Sequence, residues 1–197
     1  KDKESEDELE VDNEYIMSPK DLCTIGFVDQ LLESGVRVFK IEGRARSAEY
    51  VHYVVQAYDQ AVKSVLDGTY SREKIEAWTD QLSQVFNRGF WNGYYLGQRL
   101  GEWSEAYGSV AKKKKVYAGR ITNYFSKIGV GEITVEACEI HSGDTLLIIG
   151  PTTGFLEVIA AEIRDAQGNI VPGLDKQVGS IKVPEKVRRA DKVFVWK

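Results

Sequence analysis

After Lys115 the hydrophobic pattern switches from a helical period to short alternating runs, and no other feature narrows the fold as far. Val116 to Thr122, Ile128 to Ala137, Thr145 to Ile149, Leu156 to Ile163, Val178 to Val183 and Val193 to Trp196 each read as a strand. Turn sequences separate them, among them His141-Ser142-Gly143-Asp144, Gly150-Pro151-Thr152-Thr153-Gly154 and Val171-Pro172-Gly173. Six short strands in about 80 residues, with no helix among them, predict a small closed or nearly closed antiparallel barrel, because closure removes exposed strand edges.

Upstream the period is helical. Ser18-Pro19-Lys20-Asp21 supplies an N-cap, a proline at the first helical position and an acid at the third, so a helix is expected to start there. Leu22, Ile25, Val28 and Leu32 line one face of it, and Gly35 stops it. Ser47 and Ser71 read as caps of two further helices, the first striped by Val51, Val54, Val55, Tyr58, Ala61, Val62 and Val65, the second by Ile75, Trp78, Leu82, Val85 and Phe86. Between the first helix and these two, Val36 to Ile41 reads as a buried strand ending in Glu42-Gly43-Arg44. A lone strand buries both faces only when others flank it. Residues 15–110 are therefore expected to be the C-terminal part of an α/β domain, mostly helical here. Residues 111–197 form the β-barrel domain, and residues 1–14 an acidic linker or loop. The glycine- and ring-rich stretch at 87–108 fits no regular period and is expected to be a loop packed by its own rings.

At 43% apolar and 28% charged the chain has globular composition, and no apolar run approaches the ~20 residues of a membrane span. A soluble, cytoplasmic protein is expected, and the missing initiator Met suggests a piece of a longer one. Two cysteines, Cys23 and Cys138, argue for a reducing compartment, and with the widely spaced His52 and His141 they are not expected to build a zinc or iron–sulfur site without outside help. Residues 1–14 hold eight acids against two lysines, whereas residues 112–197 hold fourteen Lys or Arg against ten acids. That mild basic surplus permits nucleic acid as a partner without demanding it.

The sharpest chemical feature is Glu42, Arg44 and Arg46 at the end of the expected strand, before the Ser47 cap. Strand ends and helix starts in α/β folds hold anions, so an acid with two arginines suits a phosphate-bearing substrate; structural pairing of Glu42 and Arg44 is the alternative. Cys23 falls in the first turn of the expected helix, where the dipole lowers a thiol pKa, or else it is buried filler. Arg88 lies among glycines and rings that suit either base stacking or loop packing. Lys112, Lys113, Lys114 and Lys115, with Arg120 beyond them, are candidate RNA phosphate contacts, or the lysines a solvated hinge. No Gly-rich phosphate loop, HExxH, GxSxG or CxxC motif is present.

Met17-Ser18-Pro19-Lys20-Asp21-Leu22-Cys23, Phe39-Lys40-Ile41-Glu42-Gly43-Arg44 and Asn87-Arg88-Gly89-Phe90 together resemble the C-terminal portion of peptidase family U32, the collagenase-like proteases, from about Tyr15 onward. The β-rich tail resembles that family's C-terminal domain, and its Gly143-Asp144-Thr145-Leu146 and Gly150-Pro151-Thr152 turns are similar to the second-domain barrels of translation factors. The resemblance implies a TIM-like barrel with Val36 to Ile41 as a late strand. Glu42 and Arg44 would then be catalytic candidates at its active end, Glu42 accepting a proton or orienting a base edge, Arg44 and Arg46 holding phosphate. It implies an enzyme that hydroxylates the wobble uridine of tRNA, with prephenate as a linked metabolite, or a peptidase acting on collagen-like peptides. A non-catalytic RNA or protein interaction module is the further alternative. It also implies an iron–sulfur cluster with Cys23 as the last of four thiolates, the others upstream of Lys1. On this reading the barrel docks RNA or orients substrate, and the piece alone is inactive.

Overall fold

Strand pairing takes the place of the helix expected to begin at Ser18. In the computed structural model, which describes residues 19–104 and 108–197, β1 (Asp21–Leu22) runs parallel to β2 (Phe90–Trp91). The Asp21 and Cys23 amides donate to Gly89 O (2.8 Å) and Trp91 O (2.9 Å), and the Lys20 amide donates to Glu102 O (3.0 Å). With those donors committed to distant segments, helix begins only with a 3-10 turn at Ile25–Phe27 and the short α1 (Val28–Glu33). Gly35, at φ 97°, ends it as expected. Ser18 and the acidic residues 1–14 lie outside the described residues.

The two longer helices form as the pattern predicts. They are α2 (Ala48–Leu66) and α3 (Arg72–Gln84), with Ser71 Oγ accepting the Lys74 amide and Gly68 at φ 67° beyond α2. Val54, Ala57 and Ala61 recur at helical spacing and are buried, as are Trp78 and Leu82 of α3 and Ile25, Phe27 and Val28. Trp78 Nε1 donates to Gln60 Oε1 (2.9 Å), so the burial of the indole leaves its N–H satisfied.

Val36 to Ile41 corrects the expectation of a buried strand. No ladder reaches these residues among those described, and Val38 stands 83% exposed. A strand without a neighbour leaves its amides and carbonyls unpaired, and this run accordingly stays irregular.

The β-rich part contains β3 (Lys115–Phe125), β4 (Val130–Val135), β5 (Ile140–His141), β6 (Thr145–Gly150), β7 (Gly154–Ile159) and β8 (Ile163–Asp165). It continues with β9 (Ile170–Val171), β10 (Gly173–Leu174), β11 (Val178–Lys182) and β12 (Lys192–Trp196). Eight of these form one antiparallel sheet in the order β7-β6-β12-β3-β4-β11-β8-β9, while β5 and β10 pair separately. The expected run from Leu156 to Ile163 is broken into β7 and β8. Alternate residues, including Ile121, Ile133, Leu146, Ile148, Leu156, Ile163, Ile181 and Val193, meet in one buried core. The protein is thus mostly β-sheet with a few helices.

The chain divides into two units, residues 1–41 with 54–112 and residues 42–53 with 113–197. The first turns of α2 therefore belong with the β-sheet.

Candidate functional site

In the β-rich unit, Glu42 to Arg46 make a tight exposed turn. Glu42 Oε1 accepts the Arg44 amide (2.6 Å), the Arg46 amide donates to Gly43 O (3.0 Å), and Ala45 takes the left-handed conformation at φ 57°. The carboxylate is thereby fixed by its own backbone, while the exposed Arg44 guanidinium has no partner among the described residues. Arg46 lies over the Tyr50 ring, 5.2 Å from its centroid. Acid and cation are thus presented together at an open edge, although no strand stands behind them.

Most of the other cations singled out in the sequence are engaged. Lys115 Nζ bonds Glu49 Oε2 (3.0 Å) and lies 5.2 Å from the Phe194 ring centroid. Glu49, 6% exposed, also accepts from Ser47 Oγ (2.5 Å), so the serine holds that carboxylate. Arg120 pairs with Glu136 (3.0 Å), and Lys113 approaches the Trp196 ring at 6.0 Å. The Lys114 backbone pairs in both directions with Lys197, and its side chain is free among the described residues. Nearby, Tyr53 hydrogen-bonds Glu157, and burial together with that carboxylate pushes its hydroxyl pKa up. His52 packs on Phe155, with ring centroids 4.5 Å apart.

The helix-rich unit holds Cys23, Arg88 and Lys112. Arg88 pairs with Asp21 (3.1 Å), and Lys112 with Asp80 (2.6 Å). Cys23 is 8% exposed, and its Sγ receives only a long contact from the Tyr58 hydroxyl (3.9 Å), which also touches Thr24 Oγ1 (3.2 Å). Burial pushes the Cys23 thiol up, outweighing the Ile25 backbone and Tyr58 hydrogen bonds that favour thiolate. This reverses the lowering expected from a helix start: burial outweighs the Ile25 amide of the 3-10 turn that follows Cys23. At pH 7 Cys23 should therefore alkylate with iodoacetamide at least about tenfold more slowly than the partly exposed Cys138, its rate climbing only above the ordinary thiol range. Equal rates, read by peptide mass spectrometry, would refute that ordering.

No group of three His, Cys, Asp or Glu side chains suited to a metal occurs among the described residues. An iron–sulfur cluster asks for four thiolates, and this region offers one buried, neutral thiol. The residues present do not by themselves fit the cluster.

A basic cluster passed over in the sequence stands out in the structure. Lys186-Val187-Arg188-Arg189-Ala190-Asp191-Lys192 joins β11 to β12, and its four cations in seven residues were the available signal. Asp191, 2% exposed, holds the turn: its Oδ2 accepts Thr153 Oγ1 (2.5 Å) and the Arg188 amide (2.7 Å). Two open grooves, of about 720 and 740 Å³, flank the turn and share Arg188 and Arg189. No helix among the described residues is long and apolar enough to cross a membrane.

Residues 1–105 match the family model described as Peptidase family U32. Over 194 residues the chain is 51% identical to a protein named Collagenase from Porphyromonas gingivalis, an alignment covering 98% of this chain and 47% of that protein. It is 34% identical over 193 residues to an uncharacterised protease of Methanocaldococcus jannaschii, covering 96% and 47% respectively. It is also 30% identical over 162 residues to a tRNA hydroxylation protein of Bacillus subtilis, covering 81% and 38%. The chain spans about half the length of the curated relatives it matches, or less.

Proposed function

Because this chain belongs to peptidase family U32, we propose that it is the C-terminal half of a tRNA-modifying enzyme that hydroxylates the wobble uridine, with the β-rich unit closing as a small barrel that docks RNA. The observation that carries this reading is the open Glu42–Arg46 turn. Its carboxylate is pinned by the Arg44 amide (2.6 Å), and its Arg44 guanidinium is exposed and uncommitted. A fixed acceptor suits the edge of a base, and a free guanidinium suits a phosphate oxygen. These residues bind and orient substrate. The likeness to a tRNA hydroxylation protein over 81% of the chain supports the same reading.

Deleting the gene should remove a hydroxylated uridine from total tRNA, read by nucleoside mass spectrometry. Complementation with Arg44→Ala should restore about a tenth or less of the modified nucleoside restored by the wild-type gene, as expected for losing one charge-assisted phosphate contact.

A collagenase-like peptidase is the second reading, favoured by the 51% identity to a protein of that name. It gains if tRNA nucleosides are unchanged on deletion while gelatin cleavage by the purified full-length protein is lost on Arg44→Ala.

A further inference from the structure

We infer that the turn between β11 and β12 is a docking surface for the phosphodiester backbone of RNA. This inference rests on the reading of RNA as substrate and assigns it a second contact, apart from the Glu42–Arg46 turn. Lys186, Arg189 and Lys192 are exposed, and their side chains have no partner among the described residues. Arg188 is half-buried, and its Nη1 reaches only the Thr153 hydroxyl (3.3 Å).

The acids nearby do not cancel these charges in the way that Asp80, Glu49 and Glu136 meet Lys112, Lys115 and Arg120. Asp191 is buried and turned inward on Thr153 and the Arg188 amide, and Glu132 accepts the Thr122 hydroxyl (2.6 Å). Glu185 is the one exposed acid of the connection. Three exposed cations, two on the turn and Lys192 at the start of β12, therefore flank the half-buried Arg188 on a turn whose shape an internal carboxylate sets.

Their surroundings suit a polyanion rather than a single ion. The first groove places Asn123, Tyr124, Ser126 and the half-buried Glu132 carboxylate beside Lys186, Arg188 and Arg189, so three cations outnumber one acid and neutral hydrogen-bonding groups and one ring accompany the net positive charge. The second groove runs from Arg189 and Lys192 past Thr152 to Ala48, the first residue of α2 and two residues beyond Arg46. The two grooves share the Arg188–Arg189 ridge. A strand lying along them would meet cations on either side of the ridge and arrive just past the C-terminal end of the Glu42–Arg46 segment.

The test measures binding of unfractionated tRNA to the full-length protein across a salt series. The triple variant K186Q/R189Q/K192Q is compared with K63Q/R72Q, which removes two exposed cations from α2 and α3. The surface reading expects the triple variant to bind at least tenfold more weakly near 0.1 M salt, with the slope of log K against log salt shallower by about 2. The control should stay within twofold of wild type, and both variants should melt as wild type does. Charge reversal at one position, Arg189→Glu, should weaken binding further than Arg189→Gln.

Unchanged tRNA binding by the triple variant overturns the inference. So does an equal loss in the control, which would mean diffuse attraction, or loss of gelatin binding with tRNA binding intact, which would mean a peptide surface. Loss of tRNA binding with no change in tRNA nucleosides on gene deletion keeps the docking surface and removes the modification reading, so the two fail separately.

Discussion

Asp191→Ala should lower stability by about 2–4 kcal/mol, because it strips the acceptor from the Thr153 hydroxyl and the Arg188 amide at a position only 2% exposed. Buried donors left without partners are costlier than the same contacts absent altogether, which places this change above an ordinary surface substitution. Asp191 also braces Ala190, whose φ of 73° is unfavourable for a residue with a side chain. With a unit of this size, melting should shift down by about 10 °C or more, followed by circular dichroism. Asp191→Asn keeps the shape and one acceptor oxygen and should lose less. A wild-type melting curve for Asp191→Ala would mean that the carboxylate does not hold the turn.

The second large effect is expected at Gly119, in the middle of β3. It pairs with Val135 on one side and Val193 on the other, so both neighbouring ladders pass through it. A Cβ here would land on the backbone at Thr134, and backbone locked in a central strand cannot step aside as a flexible side chain can. Gly119→Ala should therefore cost about 3 kcal/mol or more and separate β3 from β4. Amide hydrogen exchange reads this directly: protection in β3, β4 and β12 should collapse. Retained protection there would show that the sheet absorbs the methyl group.

What could be read in the sequence follows the range of the forces involved. Alternation along Val116 to Thr122 and Thr145 to Ile149 is a local pattern, and β3 and β6 lie where it puts them. Ser71 and Gly68 act within a few residues, and α3 is capped as expected. Ser18-Pro19-Lys20-Asp21 carries an equally strong local signal and misleads, because the Asp21 and Cys23 amides are claimed by Gly89 and Trp91, far along the chain. Val36 to Ile41 has strand composition, but composition cannot supply a neighbouring strand.

The candidate site was legible to the same degree. Glu42 and Arg44 share one turn, as their adjacency suggested. The lysine run at 112–115 drew weight by its density, yet Asp80 and Glu49, 32 and 66 residues distant, pair with two of its members. The sparser Lys186 to Lys192 cluster, four cations in seven residues, keeps its charge because its own aspartate points inward. Neither fact is visible without the tertiary contacts.

The grouping of residues 42–53 with the β-sheet means that the border between the units is not a point on the chain. A fragment cut at residue 113 would keep every strand from β3 to β12 and still leave Lys115 without Glu49, Glu157 without the Tyr53 hydroxyl, and Phe155 without the His52 ring. Residues 42–53 behave as a clasp, carrying the Arg44 guanidinium at one end and fastening to the sheet at the other. Evolution could exchange the sheet between proteins only together with that upstream dozen, which ties the fate of the exposed turn to the strands it is fastened to.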